Sequence, residues 1–366
     1  MGYKAPPGGR FVSHVIGSRR VVTVPGAARL LGAGDIRGIA GRLGIHPTKK
    51  LGQNFVVEPG TVRQIAALAA VRPGDVILEV GPGLGSLTLA LLEAIAEATG
   101  APGPDGAAEQ DGGADAPGGA RVLLAGPRPI PTRLVAVEID PVLAAELPAT
   151  IAQRAPGIAD RATVLTADAL TLGEKDVGVP APTVLAANLP YNVAVPVVLR
   201  LLAALPSLER GVVMVQAEVA DRMCAGPGSR VYGVPSAKLA WYADAKLAGT
   251  VPRGVFWPVP NVDSKLVAFS RRDPPPTTAS REEVFAVIDA AFGQRRKTLR
   301  AALAGWAGSP VKAEETLRAA GVDPGARGET LAIADFARIA QAAAARAGQP
   351  STEVRRQDEV GFRDCD

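Results

Sequence analysis

The amino-acid sequence predicts an α/β domain with a doubly wound, mostly parallel sheet, followed by a small all-α domain. Two observations support this prediction. Short apolar runs that suit buried strands alternate with helical patterns between residues 75 and 216, which is typical of a parallel sheet covered by helices on both faces. Beyond the linker Asp273-Pro274-Pro275-Pro276 the strand pattern stops, and only helical patterns remain.

The strands of the α/β domain are predicted from these apolar runs. Their ranges are 75–80, 134–138, 163–167, 184–187 and 212–215. Two further strands, 245–251 and 265–270, have no long helix between them, so we expect them to form an antiparallel pair. In the all-α domain, Ser280 and Glu283 form a capping-box pattern before a helical run over 284–303.

The chain is expected to divide into four parts. Residues 1–34 show no clear period and predict a disordered extension, with Asp35 as the N-cap of a first helix over 36–43. The α/β domain covers 35–272 and contains an insertion at 97–132, which is rich in Gly, Ala, Pro and Asp and can bury little apolar surface. Residues 277–346 form the helical domain, and 347–366 form a disordered polar tail.

The composition argues against several kinds of chemistry. Two cysteines and two histidines provide no Cys/His metal site and no disulfide framework, and they make histidine acid–base catalysis unexpected. A formal charge of +4 is compatible with a nucleic-acid partner without requiring one. No apolar run approaches the roughly 20 residues of a membrane span. The chain opens without a signal-peptide pattern, so we expect a cytoplasmic protein. Because it has so few cysteines and histidines, we also expect no bound metal.

A glycine-rich turn follows the first strand of the sheet. Glu79-Val80-Gly81-Pro82-Gly83-Leu84-Gly85 has the spacing G-x-G-x-G, whereas dinucleotide-binding loops have G-x-G-x-x-G. This variant suits the methionine end of S-adenosylmethionine, which has no pyrophosphate. Without the insertion, Glu138 lies about 20 residues after Gly81, where a carboxylate binds a nucleotide ribose. Asp168, after the third strand, is a candidate acceptor for the amine of the cofactor's adenine.

The most specific motif is Asn188-Leu189-Pro190-Tyr191, which follows the fourth strand. An exocyclic adenine amine is a weak nucleophile because its lone pair is delocalised into the ring. The Asn188 side chain and the backbone carbonyl of Leu189 or Pro190 can accept its N–H groups and favour a pyramidal nitrogen. Tyr191 can stack on the base. Positioning then promotes methyl transfer without a strong general base, which agrees with the scarcity of histidine.

With these motifs, the sequence resembles the small-subunit ribosomal RNA adenine dimethyltransferases, the KsgA/RsmA family, from about Lys49 to about residue 345. The resemblance implies a Rossmann-like class I methyltransferase fold with S-adenosylmethionine as methyl donor. Lys50-Leu51-Gly52-Gln53-Asn54-Phe55 is similar to the family's N-terminal motif, which implies that Asn54 and the backbone of Val56 bind the cofactor. In Phe256-Trp257-Pro258-Val259-Pro260, Phe256 is implied to stack on the adenine opposite Tyr191.

A cluster of cations in the all-α domain is predicted to bind RNA. Phe292-Gly293-Gln294-Arg295-Arg296-Lys297-Thr298 resembles the family's basic helix. On one continuous helix, Arg296 and Arg300 share a face and Lys297 lies beside them. Such a face binds phosphates without reading sequence. The RNA-binding candidates are therefore Arg295, Arg296, Lys297 and Arg300.

The resemblance implies a substrate. In the family, two adjacent adenosines in the 3′-terminal hairpin of 16S ribosomal RNA each receive two methyl groups. The expected partner is therefore the immature small ribosomal subunit, and we expect the enzyme to be a monomer.

Three rival functions are open. The first is a resistance methyltransferase of an adenine in 23S ribosomal RNA, against which Tyr232-Gly233-Val234-Pro235-Ser236 and the stretch from Arg295 to Thr298 count. The second is a non-catalytic nucleic-acid-binding protein on the same scaffold, against which the intact Asn188-Leu189-Pro190-Tyr191 turn counts. The third is a dinucleotide-dependent oxidoreductase, which has a different glycine spacing.

Overall fold

The computed structural model describes residues 13–16, 19–22, 28–45, 54–100, 130–190 and 192–347 of the 366-residue chain. These residues divide into two units. The first unit extends to Ala225 and resumes with Leu239–Asp273, and the second contains Gly226–Lys238 and the residues from Pro274 onward. The predicted boundary at residue 272 lies beside this division. The membership of Gly226–Lys238 in the second unit was not indicated by the sequence.

Four short strands were not predicted, and the seven predicted strands each lie within two residues of their predicted ranges at both ends, so the described residues contain eleven strands. They are β1 (Ser13–Ile16), β2 (Arg19–Val22), β3 (Phe55–Val56), β4 (Val76–Val80), β5 (Arg133–Glu138), β6 (Ala162–Thr166), β7 (Val184–Asn188), β8 (Arg210–Gln216), β9 (Ala243–Val251), β10 (Phe256–Trp257) and β11 (Ser264–Arg271).

Seven of these strands form the sheet of the first unit, in the order β6-β5-β4-β7-β8-β11-β9. The strands from β6 to β8 are parallel, as predicted. The last pair, β9 and β11, is antiparallel, also as predicted. Strand β11 lies between β8 and β9 and is antiparallel to both. From β4 the chain adds β5 and then β6 on one side, and it then crosses to the other side of β4 to form β7 and β8. Open α/β sheets bind ligands at such a reversal of strand order.

The helices alternate with the strands in the first unit and fill the second. They are α1 (Ala33–Arg42), α2 (Pro59–Ala69), α3 (Ser86–Thr99), α4 (Pro141–Arg154), α5 (Glu174–Val177), α6 (Ala194–Ala204), α7 (Ala217–Met223), α8 (Val234–Leu239), α9 (Arg281–Gly293), α10 (Leu299–Ala302), α11 (Ala304–Ala307), α12 (Pro310–Ala319) and α13 (Ile333–Ala347). No helix in the described ranges is both long enough and apolar enough to cross a lipid bilayer.

The central strands are buried on both faces, which explains why they appear in the sequence as unbroken apolar runs. All five residues of β4 are buried. Helix α2 packs against β7 and β8, α3 packs against β5, and α4 packs against β5 and β6. Strands β4 and β5 lead into α3 and α4, so packing of both elements positions the turns between them.

The N-terminal region differs from the prediction. Residues 13–16 and 19–22 form an antiparallel pair within the segment predicted to be a disordered extension. Ala28 and Leu31, which precede Asp35, are both buried in the hydrophobic core. Helix α1 begins at Ala33, so Asp35 is not its N-cap. Its carboxylate instead accepts a hydrogen bond from the Gly32 N–H within the first turn, at 3.0 Å.

The second unit confirms the predicted capping box but not the predicted long helix. Ser280 and Glu283 bond reciprocally at the start of α9. Helix α9 ends at Gly293, and α10 begins only at Leu299. The segment Gly226–Lys238 belongs to this unit because Tyr232 is buried in it. The Tyr232 ring contacts Phe292, and its hydroxyl donates to the Leu331 carbonyl at 2.8 Å.

Candidate active site

The glycine turn connects β4 to α3 at the carboxyl end of the sheet. Gly81, Gly83 and Gly85 all have positive φ, at 71°, 57° and 96°. Residues other than glycine rarely adopt this backbone conformation. A Cβ atom on Gly83 would lie 3.0 Å from the Phe55 ring, and one on Gly85 would lie 2.8 Å from Leu147 Cδ1. The turn therefore requires glycine for both its conformation and its packing.

Glu138 ends β5 and faces this turn. The residue is 5% exposed, and its two carboxyl oxygens accept the N–H groups of Gly83 and Asp140, each at 3.0 Å. Burial raises the pKa of Glu138, and these two N–H donors partly oppose the rise. Each oxygen can accept a further hydrogen bond. The carboxylate is thus fixed in place with acceptor capacity left for the two hydroxyls of a ribose.

A cavity of about 430 Å³ lies at this edge of the sheet, within the range of about 300–1,000 Å³ that is usual for small-molecule sites. Six of the seven predicted cofactor-binding residues line it. They are Asn54, Val56, Gly81, Gly83, Glu138 and Asn188. A pocket with a glycine turn at one wall and a buried carboxylate that can still accept hydrogen bonds fits S-adenosylmethionine in size and chemistry.

Asp168, the seventh predicted cofactor residue, is not among the residues that line the cavity. Its carboxylate accepts the N–H of Leu170 at 2.9 Å and so caps its own turn after β6. Its role with the cofactor's adenine stays a prediction.

The Asn188 turn forms the other wall of the cavity. Asn188, Leu189 and Pro190 all line it. The Leu189 N–H donates to the Met214 carbonyl at 3.1 Å, which holds the turn against β8. The side-chain amide of Asn188 donates to the Asn54 carbonyl at 3.2 Å. The geometry therefore brings a predicted target-base residue beside the cofactor residues.

The two aromatic residues predicted to stack on the target adenine are not both seen at this wall. Tyr191 lies outside the described residues. Phe256 is 2% exposed and belongs to the hydrophobic core, where β10 pairs with β3 and places it opposite Val56. As described, its ring does not line the cavity, so stacking on a base requires the ring to move.

Glu79 was noticed in the sequence but given no role. It is 1% exposed on β4, and neither carboxyl oxygen has a hydrogen-bond partner of normal geometry in the described chain. Burial raises the pKa of Glu79 to about 8, and nearby Thr88 opposes the rise only in part. An acidic residue inside an apolar strand, two residues before a glycine turn, is the signal that could have singled it out.

The cations predicted to form one RNA-binding helix face do not lie on one helix. Arg295, Arg296 and Lys297 occupy the turn between α9 and α10, and Arg300 alone is helical. Helix α9 ends at Gly293, before these cations, and Arg295 pairs with Glu329 at 3.0 Å. Arg300 pairs with Glu314 at 2.8 Å. Arg296 and Lys297 are exposed.

The chemistry available at the site is that of carboxylates, amides and backbone groups. The described residues contain no group of three His, Cys, Asp or Glu side chains that could hold a metal ion. Together with the strand order and the cavity at the carboxyl ends of β4, β5 and β7, these features are those of a class I methyltransferase, which takes its methyl group from S-adenosylmethionine.

Comparisons with known proteins identify the family. The model of the family described as ribosomal RNA adenine dimethylase matches residues 46–100 and 130–345. The ribosomal RNA small subunit methyltransferase A of Thermobifida fusca is 59% identical over 314 residues, which are 86% of this chain and 96% of the relative. The protein of the same name from Kineococcus radiotolerans is 59% identical over 326 residues, 88% and 95% of the two chains. This chain therefore belongs to the ribosomal RNA adenine dimethylase family.

Solved structures share the fold. A dimethyladenosine transferase from Plasmodium falciparum superposes with a TM-score of 0.56 at 21% identity, covering 77% of this chain and 94% of that one. The 23S ribosomal RNA methyltransferase ErmE superposes with a TM-score of 0.52 at 23% identity, and the match covers 80% of this chain and 100% of that one. The family match omits residues 101–129, which lie inside the predicted insertion and outside the described residues.

Proposed function

We propose that this chain uses S-adenosylmethionine to dimethylate N6 of two adjacent adenosines in the 3′-terminal hairpin of 16S ribosomal RNA. It acts as a monomer in the cytoplasm, on the immature small subunit during ribosome biogenesis. The observation that supports the activity is the single cavity lined by both Glu138 and Asn188. The small-subunit substrate follows from relatives 59% identical that are small-subunit methyltransferases by name.

Glu138 holds the cofactor, and Asn188 and the backbone carbonyl of Leu189 hold the target base. S-adenosylmethionine supplies, when bound, a methyl group on positively charged sulfur that an amine can attack directly. Glu138 holds the ribose and so determines where that methyl lies. Asn188 Oδ1 accepts one N–H of the target amine, because donation by Asn188 Nδ2 to the Asn54 carbonyl turns the amide oxygen to the opposite side.

The second acceptor for the amine is best provided by the Leu189 carbonyl. Both residues line the cavity, but the Pro190 carbonyl already accepts the Val193 N–H at 3.2 Å. Two acceptors on one amine favour a pyramidal nitrogen, whose lone pair is then available for attack. The Asn188→Ala variant, which lacks the side-chain amide, should therefore lose most methyl transfer.

RNA docking is assigned chiefly to Arg296 and Lys297. They are exposed, and the structure describes no ion pair for either within residues 192–347. Arg295 and Arg300 are paired with carboxylates, so they must exchange a partner before they bind phosphate. Ion pairs at an exposed surface are weak, at about 0–1 kcal/mol, and so these two remain able to contribute.

The docking assignment can be tested with a double substitution, Arg296→Gln with Lys297→Gln. We expect weaker association with the small subunit. The slope of the logarithm of the association constant against the logarithm of the salt concentration should become shallower by about 1–2, since each phosphate contact contributes slightly less than one to it. Arg338→Gln is the matched control, because Arg338 is exposed and pairs with Asp335 at 2.6 Å, a carboxylate that none of the RNA-binding candidates contacts. Unchanged binding and salt slope in the double variant would place the docking surface elsewhere.

The substrate is tested by supplying labelled S-adenosylmethionine with undermethylated small subunits and, separately, with deproteinised 23S ribosomal RNA. We expect label only in the small subunit, at two adjacent adenosines near the 3′ end, with up to two methyl groups on each. Label in 23S ribosomal RNA would support the resistance-type activity instead. No label in either RNA, with intact cofactor binding, would support a non-catalytic binding protein.

A further inference from the structure

The hydrogen bond between Asn188 Nδ2 and the Asn54 carbonyl joins two residues that are 134 positions apart. Both residues line the same cavity. An amide has an oxygen on one side and an NH₂ group on the other. When the NH₂ group donates to Asn54, Oδ1 must face the opposite way. The contact therefore determines which end of the Asn188 amide is presented to a target amine.

The Asn54 carbonyl is itself held in place by the strand that follows it. Strand β3 pairs with β10, and the Val57 N–H donates to the Val255 carbonyl at 2.8 Å. The buried hydroxyl of Ser86, the first residue of α3, donates to the Val56 carbonyl at 2.7 Å. Asn54 is thus adjacent to a short strand fixed both to the glycine-turn helix and to β10.

We propose that the Asn54 carbonyl is a positioning group for methyl transfer, and that it makes an amide, rather than a carboxylate, necessary at position 188. The proposal rests on the proposed function and adds a requirement to it. If acceptance of the target N–H were all that mattered, a carboxylate would serve at least as well, because hydrogen bonds to ionised acceptors are stronger than neutral ones. A carboxylate, however, has no proton to donate to Asn54.

In the Asn188→Asp variant, one carboxylate oxygen would face the Asn54 carbonyl oxygen at the position where the NH₂ group now donates at 3.2 Å. Two acceptors at that separation repel each other in a part-buried site. The side chain then rotates away or the strand β3 shifts, and the second oxygen leaves the position that suits the amine. Protonation of the carboxyl group removes the conflict, because its O–H can donate to Asn54 while the other oxygen still accepts from the amine.

The test measures kcat for the wild-type chain, Asn188→Asp and Asn188→Ala on undermethylated small subunits, at saturating cofactor, from about pH 5.5 to about pH 9. For Asn188→Asp we expect a loss of about 100-fold or more near pH 8, comparable with the loss of one positioned hydrogen-bonding group at an active site. Its activity relative to wild type should rise by about tenfold as the pH falls, since protonation restores a donor. The corresponding ratio for Asn188→Ala should not change with pH.

Urea unfolding shows in parallel whether each variant is folded. Two results would overturn the proposal. One is an Asn188→Asp variant with near-normal kcat at every pH, which would show that no donor is needed at this position. The other is a folded Asn188→Asp variant whose deficit is as independent of pH as that of Asn188→Ala. An inactive wild-type chain would instead contradict the proposed function, so the two failures are distinguishable.

Discussion

Glu79 provides a stability prediction that depends on pH. Its carboxyl is buried on β4 without a hydrogen-bond partner of normal geometry among the described residues. Burial raises its pKa from the ordinary 4.5 to about 8, and the negative charge of Glu138 acts in the same direction. Between these two pH values the folded chain holds a proton that the unfolded chain releases. The contribution of the neutral carboxyl to stability is therefore complete below pH 4.5 and is lost as the pH rises toward 8.

The Glu79→Gln variant removes this dependence, because an amide does not titrate. Each pH unit in the interval corresponds to about 1.4 kcal/mol. Between about pH 5 and about pH 8, the stability of Glu79→Gln relative to wild type should therefore increase by roughly 4 kcal/mol. Any constant cost of burying the amide is the same at every pH and cancels from this change.

Urea unfolding of both chains without cofactor, at about pH 5, 6.5 and 8, measures the difference directly. Glu146→Gln is the matched control, since Glu146 forms an ion pair with Arg42 at the surface. Its effect should stay within about 1 kcal/mol at each pH. A stability difference between Glu79→Gln and wild type that does not vary with pH would refute the assignment of a neutral, buried carboxyl to Glu79.

Three further predictions concern the cofactor, the insertion and the sheet. Glu138→Ala should weaken S-adenosylmethionine binding by roughly 1.5–3 kcal/mol through lost hydrogen bonds to the ribose; unchanged affinity in calorimetry would remove Glu138 from the site. Deletion of residues 101–129, with a short Gly-Ser linker in their place, should preserve cofactor binding, because the family match continues on both sides of the segment. A deletion variant that does not bind the cofactor would show that the segment supports the core. Arg271→Ala should destabilise the chain by about 2–4 kcal/mol, since its guanidinium donates to the carbonyls of Leu202, Leu205 and Leu208 at the end of α6. The neighbouring Arg272→Ala removes only an exposed pair with Asp244 and should cost under about 1 kcal/mol, so equal losses in urea unfolding would contradict the distinction.

The sequence by itself determined the features that depend on neighbouring residues. The glycine turn was recognisable because positive φ at Gly81, Gly83 and Gly85 depends on the residue type at each position. The central strands were recognisable because burial on both faces leaves an unbroken apolar run. Glu138 was found by its spacing once the insertion was recognised from its composition. The family followed from these motifs, and the comparisons confirmed it.

Tertiary structure alone decided the features that depend on distant contacts. The basic run from Arg295 was predicted to be helical because it lies in the helical run over 284–303 and resembles the family's basic helix. The helix ends before it, and Arg295 pairs with Glu329, which is 34 residues away. Likewise, nothing local to residues 226–238 indicates that Tyr232 is buried among residues of the second unit.

The same reason applies to the site. The burial of Phe256 follows from the pairing of β10 with β3, and a stacking role could not be distinguished from a core role in the sequence. The orientation of the Asn188 amide is determined by the Asn54 carbonyl, 134 positions earlier in the chain. A backbone carbonyl is present at every residue and leaves no mark in a sequence, so only the folded chain shows which one lies beside the Asn188 amide.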